Sequence, residues 1–223
     1  MRLTVFNGSP RGKRGNTEIL LAQFIQGFES VPGAGNSHEL FHLNRVKAHH
    51  AYAQAFAEAE AVLLGFPLYT DAMPGIVKAF IEELAPYCGR AGNPPLGFLV
   101  QSGFPEAAHS RPVEVYLEKL ARRLACPYLG TIVKGGCEGV RMMPDRMNRK
   151  LFAALNEIGR EFGASGRFDP ALLQKLARPE RYPRWAIPLM SLLLKAGLGN
   201  IYWDQQLKEN GAYGQRFARP YSG

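Results

Sequence analysis

The groups an anion needs are concentrated in one short stretch near the N-terminus, Asn7-Gly8-Ser9-Pro10-Arg11-Gly12-Lys13-Arg14-Gly15-Asn16-Thr17. Ser9 and Thr17 offer hydroxyl donors, Asn16 an amide, and Arg11 a forked guanidinium suited to charge-assisted bonds. Gly8, Gly12 and Gly15 let the backbone approach a ligand closely. The stretch follows a short apolar run and precedes a segment of helical period. It therefore joins a strand to a helix start, whose free N–H groups and positive dipole end suit a phosphate monoester. Two other phosphate loops are excluded by spacing: the chain has neither G-x-x-x-x-G-K-[ST] nor G-x-G-x-x-G here.

Two further loops carry the residues a planar ligand would need, an apolar face and a few convergent polar groups. Pro67-Leu68-Tyr69-Thr70-Asp71-Ala72-Met73-Pro74-Gly75 follows a third apolar run. Leu68 and Tyr69 could pack on a ring, and backbone amides from Tyr69 to Ala72, Thr70 included, could reach its polar edge. Met73 and Pro74 serve either this site or simple packing at a helix start. Ser102-Gly103-Phe104-Pro105-Glu106 follows a fourth run, with His109 close behind, and Gly135-Gly136-Cys137-Glu138-Gly139 a fifth. Lys78 reads as a solvated helix residue. His49 and His50 are adjacent rather than at ligand spacing, and the three cysteines, Cys88, Cys126 and Cys137, form no C-x-x-C pair, so no metal site is expected.

These loops need elements to hold them. Apolar runs at Leu3–Phe6, His38–Leu43, Ala61–Phe66, Leu96–Val100 and Tyr128–Val133 read as strands. Between them, apolar residues recur at helical spacing: Leu21, Phe24, Ile25 and Phe28; the alanine-rich stretch 48–59; Ile76 to Leu84; Val113 to Leu124; and Met147 to Phe162. Alternating strands and helices imply an α/β fold, a doubly wound parallel sheet. The rhythm stops near Gly163–Gly166. Residues 1–165 read as one domain and 166–223 as a C-terminal helical extension, with a short helical segment (Leu172, Leu173, Leu176), an apolar helix candidate from Ala186 to Leu194, and the aromatic residues Trp185, Tyr202 and Trp203.

The chain has 223 residues and a net charge of +8. Its basic residues are neither gathered in one run nor interleaved with aromatics, so nucleic acid is not expected as a partner. The apolar run ending at Leu194 falls well short of the roughly 18 residues of a membrane span. An odd, scattered cysteine set and the absence of a signal-peptide pattern point to a cytoplasmic protein.

The loop Gly8-Ser9-Pro10-Arg11 with Asn16-Thr17 resembles that of the NAD(P)H-dependent FMN reductase branch of the flavodoxin-like superfamily. The stretches G-F-P-L-Y-T-D-A-M-P-G-I-V-K and V-Q-S-G-F-P-E are similar to that family's second and third flavin-bordering segments, in the correct order. The resemblance covers about residues 1–165. It implies a flavodoxin-like five-stranded sheet of order 2-1-3-4-5 and bound FMN. Ser9, Arg11, Asn16 and Thr17 would hold its phosphate, and Pro67, Leu68, Tyr69, Thr70, Met73, Ser102, Gly103 and Phe104 would border its ring. It also implies NADPH or NADH as reductant and a small acceptor (quinone, nitroaromatic, azo compound or flavin). Chemistry resting on flavin N5 asks for no catalytic side chain. A homo-oligomer is implied too, since relatives usually bury the flavin at a dimer interface. Iron–sulfur relatives carry a cysteine cluster where this chain has Lys47-Ala48-His49-His50, so no cluster is expected. The rival readings are a flavodoxin-type electron carrier, usually acidic where this chain is basic, and a flavin-binding sensor or interaction protein using its tail.

Overall fold

Five strands form one parallel sheet: β1 (Arg2–Asn7), β2 (Ser37–His42), β3 (Ala61–Pro67), β4 (Leu96–Gln101) and β5 (Tyr128–Lys134), in the order β2-β1-β3-β4-β5. The order that the family resemblance implies is the order observed. The computed structural model describes residues 1–186, 188, 192 and 200–219, with backbone alone at 201 and 202. It divides into two compact units, Met1–Arg181 and Tyr182–Gly223.

In the first unit the strands alternate with α1 (Asn16–Glu29), α2 (His49–Ala57), α3 (Gly75–Glu83), α4 (Arg111–Arg123) and α5 (Asp145–Ser165), and α6 (Pro170–Leu176) follows. Successive side chains of a strand point to opposite faces, so an all-apolar strand feeds two cores. β3 is buried at every residue: Val62, Leu64 and Phe66 enter a cluster with Phe6, Phe80 and Leu117, while Ala61 and Leu63 enter another with Leu3, Phe24 and Ile158. The edge strands β2 and β5 are only partly buried, because each lacks a neighbour on one side. Each strand ends within a residue or two of its expected limits. Residues such as Asn7 and Gln101 are polar yet pair within the ladder, which extends β1 and β4 by a residue.

The helices start and stop for local reasons. Pro74 sits just before α3 rather than inside its first turn, where its missing N–H costs nothing. α5 ends at Gly166, whose φ of 71° suits glycine at a helix C-terminus. α1 and α5 pack with unusual closeness: a Cβ on Gly27 would strike the carbonyl oxygen of Asn156, and one on Gly159 that of Phe24. The first unit runs on past residue 165, since α6 contributes Leu172, Leu173 and Leu176 to the cluster around Phe162 and Phe168.

The second unit contains α7 (Ile201–Glu209) and a short turn at Tyr213–Gln215. Arg216 lies over the ring of Tyr213 at 4.0 Å. Trp185 and Trp203 are exposed. The apolar helix expected from Ala186 to Leu194 lies for the most part outside the described residues.

Candidate functional site

In an open sheet of this order, β1 and β3 lie side by side while their chains leave in opposite directions, which opens a crevice beyond their C-terminal ends. Three loops line a cavity of about 90 Å³ there, through Ser9, Arg11, Gly15 and Asn16, through Pro67, Leu68 and Tyr69, and through Gln101, Ser102 and Gly103, with Glu138 on the rim. The sequence loops after β1, β3 and β4 thus converge on one place. The enclosed volume suits a phosphate-sized group and falls short of the roughly 300–1,000 Å³ of a complete cofactor pocket. A larger ligand anchored here would lie across the open rim.

The phosphate-type loop is built from the backbone outward. Asn7, the last residue of β1, is fully buried and accepts the Ser9 N–H on its Oδ1 at 2.8 Å. Gly8 donates its N–H to Gly65 on β3, and its Cβ position is blocked by Phe66 and Val77. Gly12 has a φ of 51° beneath Asn44, a conformation that favours glycine. Gly15, the residue before α1, leaves no room for a Cβ against Ser9. The start of α1 carries no side-chain cap, so the N–H groups at Asn16 and Thr17 are left to a ligand. Arg11 is exposed and has no ion-pair partner among the described residues. An uncapped helix start, a serine and an unpaired arginine around a small cavity fit a phosphate.

The side chains of Asn16 and Thr17 have protein partners of their own. The Asn16 side-chain amide donates to the carbonyls of Cys137 at 2.7 Å and Glu138 at 3.1 Å, so it ties the loop after β5 to the helix start. Thr17 is fully buried and its hydroxyl accepts from Gln101 Nε2 at 3.4 Å. Burial pushes the Cys137 thiol up to about 12, which keeps it protonated and structural.

The loop after β3 is a tight turn closed by two bonds, Tyr69 N–H to Ala72 C=O at 2.8 Å and the reverse at 3.1 Å. Its central residues, Thr70 and Asp71, both have positive φ, 47° and 63°. Non-glycine residues there carry strain of order 1–3 kcal/mol, and such strain collects at functional sites. Tyr69 is half-exposed, Leu68 is buried, and Thr70 is exposed at the tip outside the cavity lining. Met73 packs against the core cluster of Phe66 and Val77.

The loop after β4 places Ser102 and Gly103 on the cavity and Phe104 beside it. Phe104 stacks on His109 with ring centroids 4.5 Å apart. His109 lies 3.8 Å from Asp71 and 3.7 Å from Glu106, so its ring bridges the two rim loops. Lys78 pairs with Glu82 at the helix surface, and His49 is buried against the Leu43 carbonyl. Among the described residues no group of side chains could hold a metal. Gln101 and Asn7 were not singled out from sequence. The signal was a polar residue closing an otherwise apolar strand.

Residues 1–88 match a family model described as a flavodoxin-like fold. No curated protein sequence matches the chain. Solved structures do. One is an NAD(P)H:quinone oxidoreductase from Methanothermobacter marburgensis, with a TM-score of 0.59 and 14% identity over 73% of this chain and 96% of that one. Another is an FMN-dependent NADH-azoreductase from Bacillus anthracis in complex with FMN, with a TM-score of 0.56 and 12% identity over 73% and 99%. A third is an NADH:FMN oxidoreductase, with a TM-score of 0.56 and 16% identity over 80% and 96%. Fold and comparisons together define the class: the chain has the flavodoxin-like fold. At these identities the likeness is one of architecture.

Proposed function

We propose that this protein is an FMN-dependent NAD(P)H oxidoreductase that reduces a small acceptor such as a quinone, nitroaromatic, azo compound or flavin. The observation that carries this reading is the convergence of three loops on one anion-sized cavity at the β1/β3 switch point, with Leu68, Tyr69 and a strained turn beside it. FMN, when bound, would supply the hydride chemistry from reduced nicotinamide to acceptor. The chain's own residues bind and orient it. Ser9, Arg11 and the N–H groups of Asn16 and Thr17 would hold the phosphate, with the Asn16 and Thr17 side chains bracing the loops around it. Pro67, Leu68, Tyr69, Thr70 and Met73 on one side, and Ser102, Gly103 and Phe104 on the other, would frame the ring.

Solved structures of the same fold named as azoreductases, quinone oxidoreductases and an FMN oxidoreductase support the reading. So does the net charge of +8, which suits anionic cofactors better than the acidic surface of an electron-carrier flavodoxin. We further propose that residues 1–165 bind the flavin and 166–223 extend them, α6 of that extension packing within the first compact unit, and that a cytoplasmic homo-oligomer is the working form. Three free cysteines agree with a reducing compartment. Steady-state oxidation of NADPH or NADH with a soluble quinone tests the proposal. Turnover that depends on added FMN is expected, and no turnover at micromolar protein would overturn it.

A further inference from the structure

Behind the phosphate-type loop lies a hydrogen-bonded chain that links the ends of β1 and β2 to the first turn of α1. Asn7 Nδ2 donates to Glu18 Oε2 at 2.7 Å, and the same oxygen lies 2.9 Å from His42 Nε2. Asn7 and His42 are direct partners in the β1–β2 ladder, and both are buried. The other end of the Asn7 amide accepts the Ser9 N–H, and Ser9 lines the cavity. The series runs His42, Glu18, Asn7, Ser9.

Each member constrains the next. The Asn7 amide can present Oδ1 to Ser9 only while its NH₂ faces an acceptor, and Glu18 is that acceptor. Glu18 sits in the first turn of α1, where a carboxylate favours the helix dipole but repels an anion bound at the same helix start. His42, donating from Nε2, holds that carboxylate back against the strand ends. Neither His42 nor Glu18 lines the cavity.

We infer that His42 is a positioning residue for phosphate recognition, acting through Glu18 and Asn7 on the Ser9 loop. The inference rests on the FMN reading and adds to it a side chain that reaches the phosphate only through others. A purely structural histidine would affect every ligand of the site alike. A positioning one affects ligands bearing the phosphate.

The test compares FMN with riboflavin, identical but for the phosphate, by fluorescence titration of the full chain. His42→Leu keeps the burial and loses the donor; His42→Phe carries the same comparison should the leucine variant not fold. Expected is at least a fivefold loss in FMN affinity with riboflavin affinity changed less than twofold, and a shift in the phosphorus resonance of bound FMN. His42→Gln, which restores an N–H donor, should return FMN affinity to within about twofold of the parent. Parallel losses for both ligands, or an unchanged FMN-to-riboflavin ratio, would overturn the inference while leaving the FMN reading intact. A parent protein that binds FMN no better than riboflavin would overturn the phosphate assignment itself, and the inference with it.

Discussion

A single guanidinium and a single hydroxyl carry most of the proposed phosphate recognition. Arg11 is solvent-facing and has no ion-pair partner among the described residues, while Ser9 is almost wholly buried and lines the cavity. Charge-assisted bonds contribute about 1.5–3 kcal/mol each. The double replacement Ser9→Ala/Arg11→Ala should therefore weaken FMN binding by at least tenfold in a fluorescence titration. Unchanged affinity would refute the assignment. The cysteines give a second test at this scale. Cys88 is exposed, whereas Cys126 and Cys137 are buried and burial pushes their thiols up to about 11 and about 12. A thiol reagent at pH 8 should label Cys88 alone until the protein unfolds. The raised value of Cys137 also has a pH consequence. Above its ordinary value of 9.0 the unfolded chain has lost this proton and the folded chain retains it, so stability falls as pH rises from there toward about 12. Urea unfolding at pH 8 and pH 10.5 should show a smaller alkaline loss in Cys137→Ala than in the parent.

At the scale of elements, the strained turn and the close helix pair make opposite predictions. Thr70 is β-branched and sits at a φ of 47°, a region such residues avoid. Thr70→Gly removes strain of about 1–3 kcal/mol against an entropy cost of about 0.5–1 kcal/mol, so it should stabilise the fold by up to about 2 kcal/mol, read as a higher urea midpoint. A fall would contradict the turn geometry. Gly159 and Gly27 let α1 and α5 approach backbone to backbone. Gly159→Ala should cost about 1–3 kcal/mol or more, since a methyl there meets the Phe24 carbonyl rather than a flexible side chain. Much of this layer was legible beforehand. Strands buried on both faces read as unbroken apolar runs, and α1 and α5 as helical stripes. The turn at Tyr69–Ala72 was not, because Thr-Asp lacks the Asn-Gly signature of positive-φ turns. The polar strand ends, Asn7 and Gln101, escaped notice because their partners lie on other elements, 11 and 84 residues away in Glu18 and Thr17.

For the molecule as a whole, the loops that the family resemblance grouped together line one cavity. Eight of the twelve residues expected to hold the cofactor line the cavity: Ser9, Arg11, Asn16, Pro67, Leu68, Tyr69, Ser102 and Gly103. Thr17, Thr70, Met73 and Phe104 stand behind or beside it, as a buried support, an exposed tip, a core contact and a ring stacked on His109. A sequence motif marks a loop, and only the packed structure shows which of its side chains turn inward. The tail was less legible, because its Pro/Arg-rich stretch and aromatic end fit no single period. The central claim is that the three-loop cavity holds FMN for reduction by nicotinamide. The most direct test is an anaerobic titration of the FMN-loaded, desalted protein with NADPH and NADH, followed by visible absorbance. The account predicts a flavin spectrum that survives desalting and bleaches with one equivalent of at least one reductant. A colourless protein after desalting, or a retained flavin that neither nucleotide bleaches, would contradict it.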